Sequence, residues 1–76
     1  MGDIKVTLKM ARELVGMNQA EAAAKLGISK DTLSNYERGK SYPDVPVIRK
    51  IEDLYGVTYD HIIFLPLDYD KTVINQ

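Results

Sequence analysis

The segment from Gln19 to Lys40 reads QAEAAAKLGISKDTLSNYERGK. Its first part is rich in alanine and strongly favours a helix, which Gly27 interrupts. Only two residues later Ser29 is suited to cap a second helix, and Gly39 ends that helix in turn. Two short helices joined by a glycine-containing turn define the helix-turn-helix, so the segment predicts this motif.

Two helices that cross this closely place demands on particular positions. The residue in the middle of the first helix of this motif has to be small, and Ala23 lies there. Four residues later the turn has to tolerate a positive φ, and Gly27 meets that need. Apolar side chains have to fix the angle between the helices. The residues expected to do so are Ala22, Leu26, Ile28, Leu33 and Tyr36.

Capping signals also mark the chain before this segment. A helix is predicted from about Ile4 to Val15, with Asp3 as its cap and Gly16 as its stop. Its apolar face is expected to comprise Leu8, Ala11, Leu14 and Val15. Asn18 and Glu21 then have the spacing of a capping box at the start of the next helix.

Two more helices are predicted after the segment. Asp44 is the expected cap of a fourth helix, in which Pro46 is tolerated because its missing N–H lies in the first turn. The apolar stripe of this helix is Val47, Ile48, Ile51, Leu54 and Tyr55. Gly56 ends it, and Thr58 is the expected cap of a short fifth helix over residues 59–64.

The composition predicts one small domain. A chain of 76 residues is too short for two cores, so residues 1–65 are expected to be an all-α domain, with 66–76 as a tail that is a short strand or a dimerisation arm. There is no cysteine and a single histidine, His61, so no disulfide, metal site or cofactor is expected. No apolar run approaches the roughly 18 residues of a membrane span, and the first residues lack a secretory signal, which predicts a cytoplasmic protein.

The distribution of charge is uneven along the chain. The formal net charge is −1, which is not the basic balance typical of a nucleic-acid binder. Nine of the ten Lys and Arg residues lie in 1–50, together with six carboxylates, whereas residues 51–76 have one lysine and five carboxylates. Positive charge is therefore concentrated in the part that contains the predicted motif, although charge alone fits ordinary surface scatter equally well.

The sequence resembles the Cro/repressor (Xre-like) family of phage and bacterial regulators. The motifs that carry the resemblance are NQAE at 18–21, LGIS at 26–29 and NYERGK at 35–40. It extends to Arg12, to Pro43 and to Tyr-Gly-Val at 55–57, and covers roughly residues 4–65. The resemblance implies a compact five-helix domain that binds duplex DNA through its second and third helices.

Base contacts are expected from the exposed face and the first turn of the third helix. The residues on this side are Lys30, Asp31, Ser34 and Asn35, because Leu33 and Tyr36 have to face inward. Lys30 is suited to guanine, Asn35 to adenine and Asp31 to cytosine. The resemblance also implies base reading at these three positions. Two alternatives stay open: Asp31 is also favoured by the helix dipole, and Asn35 is also explained as a solvated polar residue.

Phosphate contacts are expected from the edges of the helix pair. The candidates are Gln19, Ser29, Arg38, Lys40 and Lys9. Gln19 resembles the family glutamine at the start of the second helix, where free N–H groups also attract an anion. Ser29 is primarily a cap, and Lys9 is the weakest of the set. Such contacts fix the register on DNA without reading sequence.

One pair is expected from resemblance alone. In the family, the positions of Arg12 and Glu37 hold an ion pair between the first helix and the end of the third. If both side chains pair here, their role is structural, and loss of one partner leaves the other charge stranded. The rival interpretation places both in solvent.

The function predicted from these features is a sequence-specific regulator of transcription, of the phage or prophage repressor type. One motif covers too few base pairs to be selective, so a homodimer on an inverted repeat is expected, with half-sites about 34 Å apart. The dimer surface is predicted at Tyr59, Ile62, Ile63, Phe64 and the tail, unless these residues simply complete the core.

The alternative function is a protein-interaction module on the same fold, such as an antitoxin-like partner with weak DNA binding. An enzyme is not expected, because the sequence has no visible nucleophile–base pair, phosphate-cradling loop or ligand cluster.

Overall fold

The computed structural model describes residues 5–64, and the predicted tail lies outside them. The elements in chain order are β1 (Val6–Thr7), α1 (Leu8–Leu14), α2 (Gln19–Leu26), α3 (Lys30–Arg38), α4 (Val45–Tyr55), a 3₁₀ turn (Tyr59–His61) and β2 (Ile62–Ile63). The all-α helix-turn-helix class fits this mostly helical chain. The predicted five α-helices are wrong for the described part, which has four.

The first helix begins later than predicted. Its cap is Thr7, whose Oγ1 accepts a hydrogen bond from the Met10 N–H at 3.1 Å. Val6 and Thr7 are extended and pair in parallel with Ile62 and Ile63. All four of these residues are β-branched, which favours a strand over a helix end. The predicted cap Asp3 and the predicted start Ile4 lie outside the described residues.

The predicted fifth helix is a single 3₁₀ turn followed by β2. Thr58 does not cap it with its side chain, because its Oγ1 lies 2.7 Å from His61 Nδ1. The backbone N–H of Tyr59 instead donates to Glu52 Oε2 at 2.8 Å. Pairing with β1 then holds the chain extended at Ile62, so the two ends of the described chain meet beside each other.

The other predicted caps are confirmed. Asn18 Oδ1 accepts from the Glu21 N–H at 2.8 Å, and Glu21 Oε1 accepts from the Asn18 N–H at 3.0 Å, which completes the capping box of α2. Ser29 caps α3, and Asp44 caps α4 by accepting from the Val47 N–H at 3.2 Å. These bonds satisfy N–H groups that the first turn of a helix leaves without partners.

The core is built from one face of each helix. Its buried residues are Leu8, Ala11, Ala22, Ala23, Leu26, Leu33, Ile51, Tyr55 and Ile62. The prediction that Leu14 and Val15 belong to it is wrong, since Leu14 is 75% exposed and Val15 is exposed too. Arg12 takes the inward position on the short α1 instead, and the helix ends before Val15 can turn inward.

Candidate nucleic-acid interface

The turn between α2 and α3 has the backbone that the sequence predicts. Gly27 has φ +75°, a conformation that an L side chain adopts only with strain. Its N–H and that of Ile28 bond back to α2, the latter to the Ala23 carbonyl at 3.0 Å. Ala23 is buried, as a close crossing requires, and Leu33 packs fully buried on the inner side of α3. The two helices are therefore held at one angle.

A lysine lies beside this turn that sequence reasoning missed. A Cβ added at Gly27 would lie 3.6 Å from Lys50 Nζ, so the α4 ammonium sits next to the end of α2. Positive charge at a helix C-terminus is stabilising. In the sequence, Lys50 is only one of several polar residues outside the apolar stripe of α4, and no local signal singles it out.

The first turn of α3 is fixed by a double contact of its cap. Ser29 Oγ accepts from the Thr32 N–H at 3.0 Å and donates to Thr32 Oγ1 at 2.8 Å. Lys30 and Asp31, which follow the cap, are exposed. A cationic and an anionic side chain thus lie in solvent at the capped start of α3.

The rest of the predicted reading face lies along the same helix. Ser34 and Asn35 are half-buried, whereas Leu33 between them and the turn is buried. Tyr36 is half-buried and packs against the core. Asn35 accepts a hydrogen bond at its Oδ1 from Arg38 Nη2 at 3.1 Å. All four predicted base-reading residues therefore lie on α3 with part or all of their side chains accessible.

The predicted phosphate-contacting residues surround this helix in different ways. Arg38 and Lys40 are exposed at and just beyond the end of α3, and Lys9 is exposed on α1. Gln19, at the start of α2, is half-buried and donates from Nε2 to Glu37 Oε1 at 3.0 Å. One N–H of the Gln19 amide is thus already engaged, and its second N–H is the donor left for another acceptor.

Arg12 and Glu37 form a buried ion pair with two parallel bonds. Arg12 Nε donates to Glu37 Oε2 at 2.7 Å and Nη2 donates to Oε1 at 3.2 Å, while Nη1 donates to the Met17 carbonyl at 2.8 Å. The two side chains are 8% and 4% exposed, so the solvent-exposed interpretation does not apply. The hydrogen bond to Glu37 raises the pKa of Arg12 above its ordinary value, against the opposing effect of burial.

Tyr55 lies close to this pair, a position that its place in the apolar stripe of α4 does not predict. Burial raises the pKa of Tyr55 to about 12, and the charge of Glu37 adds to the shift while Arg12 opposes it. The hydroxyl of Tyr55 is buried and has no hydrogen-bond partner among residues 5–64. A polar atom in this position costs stability relative to hydrogen at the same place.

A second surface of interest is an aromatic groove, which we define as Tyr42, Pro43, Ile48, Tyr59 and Phe64, with a volume of about 360 Å³. The Phe64 ring lies 5.4 Å from that of Tyr59 and 6.1 Å from that of Tyr42. Tyr59 is 52% exposed and Ile63 beside it is exposed, but Ile62 is only 7% exposed. Ile62 therefore belongs to the core, and the expectation that it lies on a dimer surface is wrong.

The comparison with protein families decides what this arrangement is. The model of the family described as Helix-turn-helix matches residues 8–62, most of the chain. The chain belongs to this helix-turn-helix family. The match includes all four α-helices, and the resemblance to Xre-like regulators inferred from the motifs is confirmed. The matched residues include α2, its turn and α3, which are the two helices and the turn of the predicted motif.

Curated relatives of this helix-turn-helix chain have names that refer to transcription. The chain is 45% identical over 56 residues to the HTH-type transcriptional regulator ImmR of Bacillus subtilis, covering 74% of this chain and 44% of the relative. An SPbeta prophage-derived uncharacterized HTH-type transcriptional regulator of the same organism is 34% identical over 56 residues, covering 74% and 52%. These two relatives are each about twice as long as the region they share with this chain.

A third relative matches over most of its own length. It is an uncharacterized HTH-type transcriptional regulator of Methanocaldococcus jannaschii, 36% identical over 59 residues, which cover 78% of this chain and 89% of the relative. Within residues 5–64, no helix has the length and apolar character to cross a membrane. The same part of the helix-turn-helix chain brings no three His, Cys, Asp or Glu residues together as metal ligands.

Proposed function

We propose that the protein is a sequence-specific regulator of transcription, of the phage or prophage repressor type, that inserts α3 into the major groove of duplex DNA. The observation that carries the proposal is the division of α3 into two faces. Leu33 is buried against α2, while Lys30 and Asp31 stand exposed at a rigid first turn. A helix presented in this way is what the major groove, about 12 Å wide, admits.

Base reading is assigned to the accessible side of α3. Lys30 donates to guanine O6 and N7, Asn35 bonds to adenine, and Asp31 accepts from cytosine N4 and disfavours a nearby phosphate. Ser34 lies between them on the same side. Each well-made contact of this kind discriminates between bases by about 1–3 kcal/mol.

Backbone contacts are assigned to the residues around the reading helix. Arg38 and Lys40 contact one strand beyond the end of α3, and Gln19 donates its second N–H to a phosphate near the start of α2. Ser29 and Lys9 complete the set. In this arrangement a local cluster of cations binds DNA although the whole chain has a net charge of −1.

The active unit is a homodimer on an inverted repeat. The aromatic groove and the exposed Ile63 supply apolar area for contact between two copies, and the tail is assigned to the same interface. A two-fold dimer presents two α3 helices about 34 Å apart, which matches one turn of DNA. The protein acts without a cofactor or catalytic step, and it acts where the DNA is, in the cytoplasm.

The test is selection of binding sites from a random duplex library, followed by measurement of the affinity of the best site against salt concentration. The proposal predicts enrichment of a palindromic site and an affinity that falls steeply with salt. If no site is enriched and binding is negligible even at low salt, the proposal fails. The second candidate function is a protein-interaction module, which the net charge and the exposed aromatic groove favour. The absence of an enriched site, with negligible DNA binding at low salt, would support this second function.

A further inference from the structure

The side-chain amide of Asn35 has a charged partner on its own helix. Arg38, three residues further along α3, donates from Nη2 to Asn35 Oδ1 at 3.1 Å. A side-chain amide has an oxygen that accepts and a nitrogen that donates, and rotation of the amide by half a turn about its bond to Cβ exchanges the positions of these two atoms. A guanidinium only donates, so it bonds only to the oxygen. The contact with Arg38 therefore determines which end of the Asn35 amide is the acceptor.

The order of donor and acceptor matters to an amide that reads a base. In the major groove adenine offers an acceptor, N7, next to a donor, the N6 amino group. An asparagine in the matching order makes both bonds, whereas a reversed asparagine sets donor against donor and acceptor against acceptor. Because a carbonyl oxygen has two lone pairs, Asn35 Oδ1 can accept from N6 while it keeps its bond to Arg38.

We propose that Arg38 is a positioning residue that sets the base preference of Asn35, in addition to its charge near the DNA backbone. The inference rests on the proposed function, because it needs Asn35 to face bases. Arg38 has five N–H donors and uses one on Asn35, so a phosphate contact and the positioning contact are compatible. Charge-assisted hydrogen bonds are about twice as strong as neutral ones, which suits an orienting role.

A matched control lies two residues away. Lys40 is a cation exposed just beyond α3, and its side chain makes no hydrogen bond to Asn35 within the described chain. Removal of either charge weakens binding to all duplexes and lowers the slope of log affinity against log salt by about 1. Only removal of Arg38 also frees the Asn35 amide.

The experiment measures the affinity of the parent, Asn35→Ala, Arg38→Ala, Lys40→Ala and Asn35→Ala/Arg38→Ala for the selected site and for duplexes with each base pair replaced in turn. Some base pairs are expected to lose their effect on affinity in Asn35→Ala. At these base pairs, we expect Arg38→Ala to reduce the ratio of affinities between the selected and the replaced base pair about tenfold. Adding Arg38→Ala to Asn35→Ala should change discrimination no further. Arg38→Lys keeps a charged group that only donates, so it should restore both the discrimination and the salt slope, whereas Arg38→Gln has an amide that also accepts and should restore neither.

The outcomes separate this inference from the function on which it rests. If the parent reads a site, Asn35→Ala loses discrimination and Arg38→Ala behaves like Lys40→Ala, the positioning role is overturned while the proposed function stands. If the parent prefers no duplex, the proposed function fails and this inference with it. Thermal unfolding of each variant checks that the fold is intact, as expected because Arg38 and Lys40 are exposed and Asn35 is only half-buried.

Discussion

Arg12 and Glu37, 25 residues apart, are joined by two parallel hydrogen bonds in a nearly solvent-free site. The pair ties α1 to the end of α3, and through the bond from Gln19 it includes the start of α2 as well. The helices α1, α2 and α3 are therefore joined through the Glu37 carboxylate. The angle at which α3 is presented depends on this contact as well as on the apolar core.

Removal of one partner of this pair is expected to be costly. Arg12→Met and Glu37→Leu should each lower the free energy of unfolding by about 3–5 kcal/mol, because each leaves a buried charge without its counterion. The double variant Arg12→Met/Glu37→Leu should recover most of the loss, since two apolar side chains then fill the site. Denaturant unfolding of the three variants measures this. Losses that simply add in the double variant would show that the two side chains do not interact.

Tyr55 is expected to limit stability in alkaline solution. Its pKa in the folded protein, about 12, lies above the ordinary 10.0, so the folded state holds the phenol proton more tightly than the unfolded state. The associated stability, about 2–3 kcal/mol, is complete below pH 10 and is lost as pH rises from about 10 to about 12. Tyr55→Phe should remove the fall in the free energy of unfolding between about pH 10 and about pH 12. Tyr42→Phe, a control at an exposed tyrosine, should show the same fall as the parent.

The same substitution tests the Tyr55 hydroxyl at neutral pH. Because this buried group has no partner among the described residues, Tyr55→Phe should leave stability unchanged or raise it by about 1 kcal/mol at pH 7. Thermal unfolding of parent and variant decides between the outcomes. A loss of more than about 1 kcal/mol would mean that the hydroxyl makes a hydrogen bond in the folded protein.

Substitutions of Ser29, the cap of α3, are expected to affect stability and DNA binding differently. Ser29→Ala should cost about 1 kcal/mol, because the Thr32 N–H loses its acceptor, while Ser29→Asp restores a capping oxygen. On the proposed function, Ser29→Asp also places a negative charge near phosphates and should weaken DNA binding in spite of its stable fold. The measurements are denaturant unfolding and DNA affinity of the parent, Ser29→Ala and Ser29→Asp. Equal affinities for Ser29→Asp and the parent would place Ser29 away from the backbone.

The aromatic groove predicts a concentration-dependent dimer. Tyr59→Glu should shift the protein toward monomer at tens of micromolar, because it puts a charge on a half-exposed aromatic surface. The backbone bond of Tyr59 to Glu52 does not depend on the side chain, so the 3₁₀ turn should remain. Leu14→Ser, at an exposed apolar residue of α1, is the control and should stay dimeric. Sedimentation of the parent as a monomer, with and without operator-length DNA, would refute the dimer.

Sequence reasoning succeeded where the deciding chemistry is local. Asn18, Ser29 and Asp44 were identified as caps because a cap and the N–H it accepts from are three residues apart. It failed at the two ends, because Val6 and Ile62 are extended only through pairing with each other across the whole described chain. No local pattern reports a partner that distant, and the sequence predicts that both residues lie within helices.

The candidate site shows the same division. The positions on α3 follow from helical spacing once Leu33 is inward, and the Arg38–Asn35 bond has a spacing that sequence reasoning could have considered. The bond from Gln19 to Glu37 requires the packing of two helices and had no sequence signal.

Base reading by α3 is measured with Lys30→Ala/Asn35→Ala, whose affinity is compared on the selected site and on a scrambled duplex of equal length. We expect the ratio of the two affinities to fall at least about thirtyfold, while affinity for the scrambled duplex changes little. Lys25→Ala, which removes an exposed charge at the end of α2, should keep the ratio of the parent. If Lys30→Ala/Asn35→Ala has the same ratio of affinities as the parent, α3 does not read bases and sequence recognition lies on another surface.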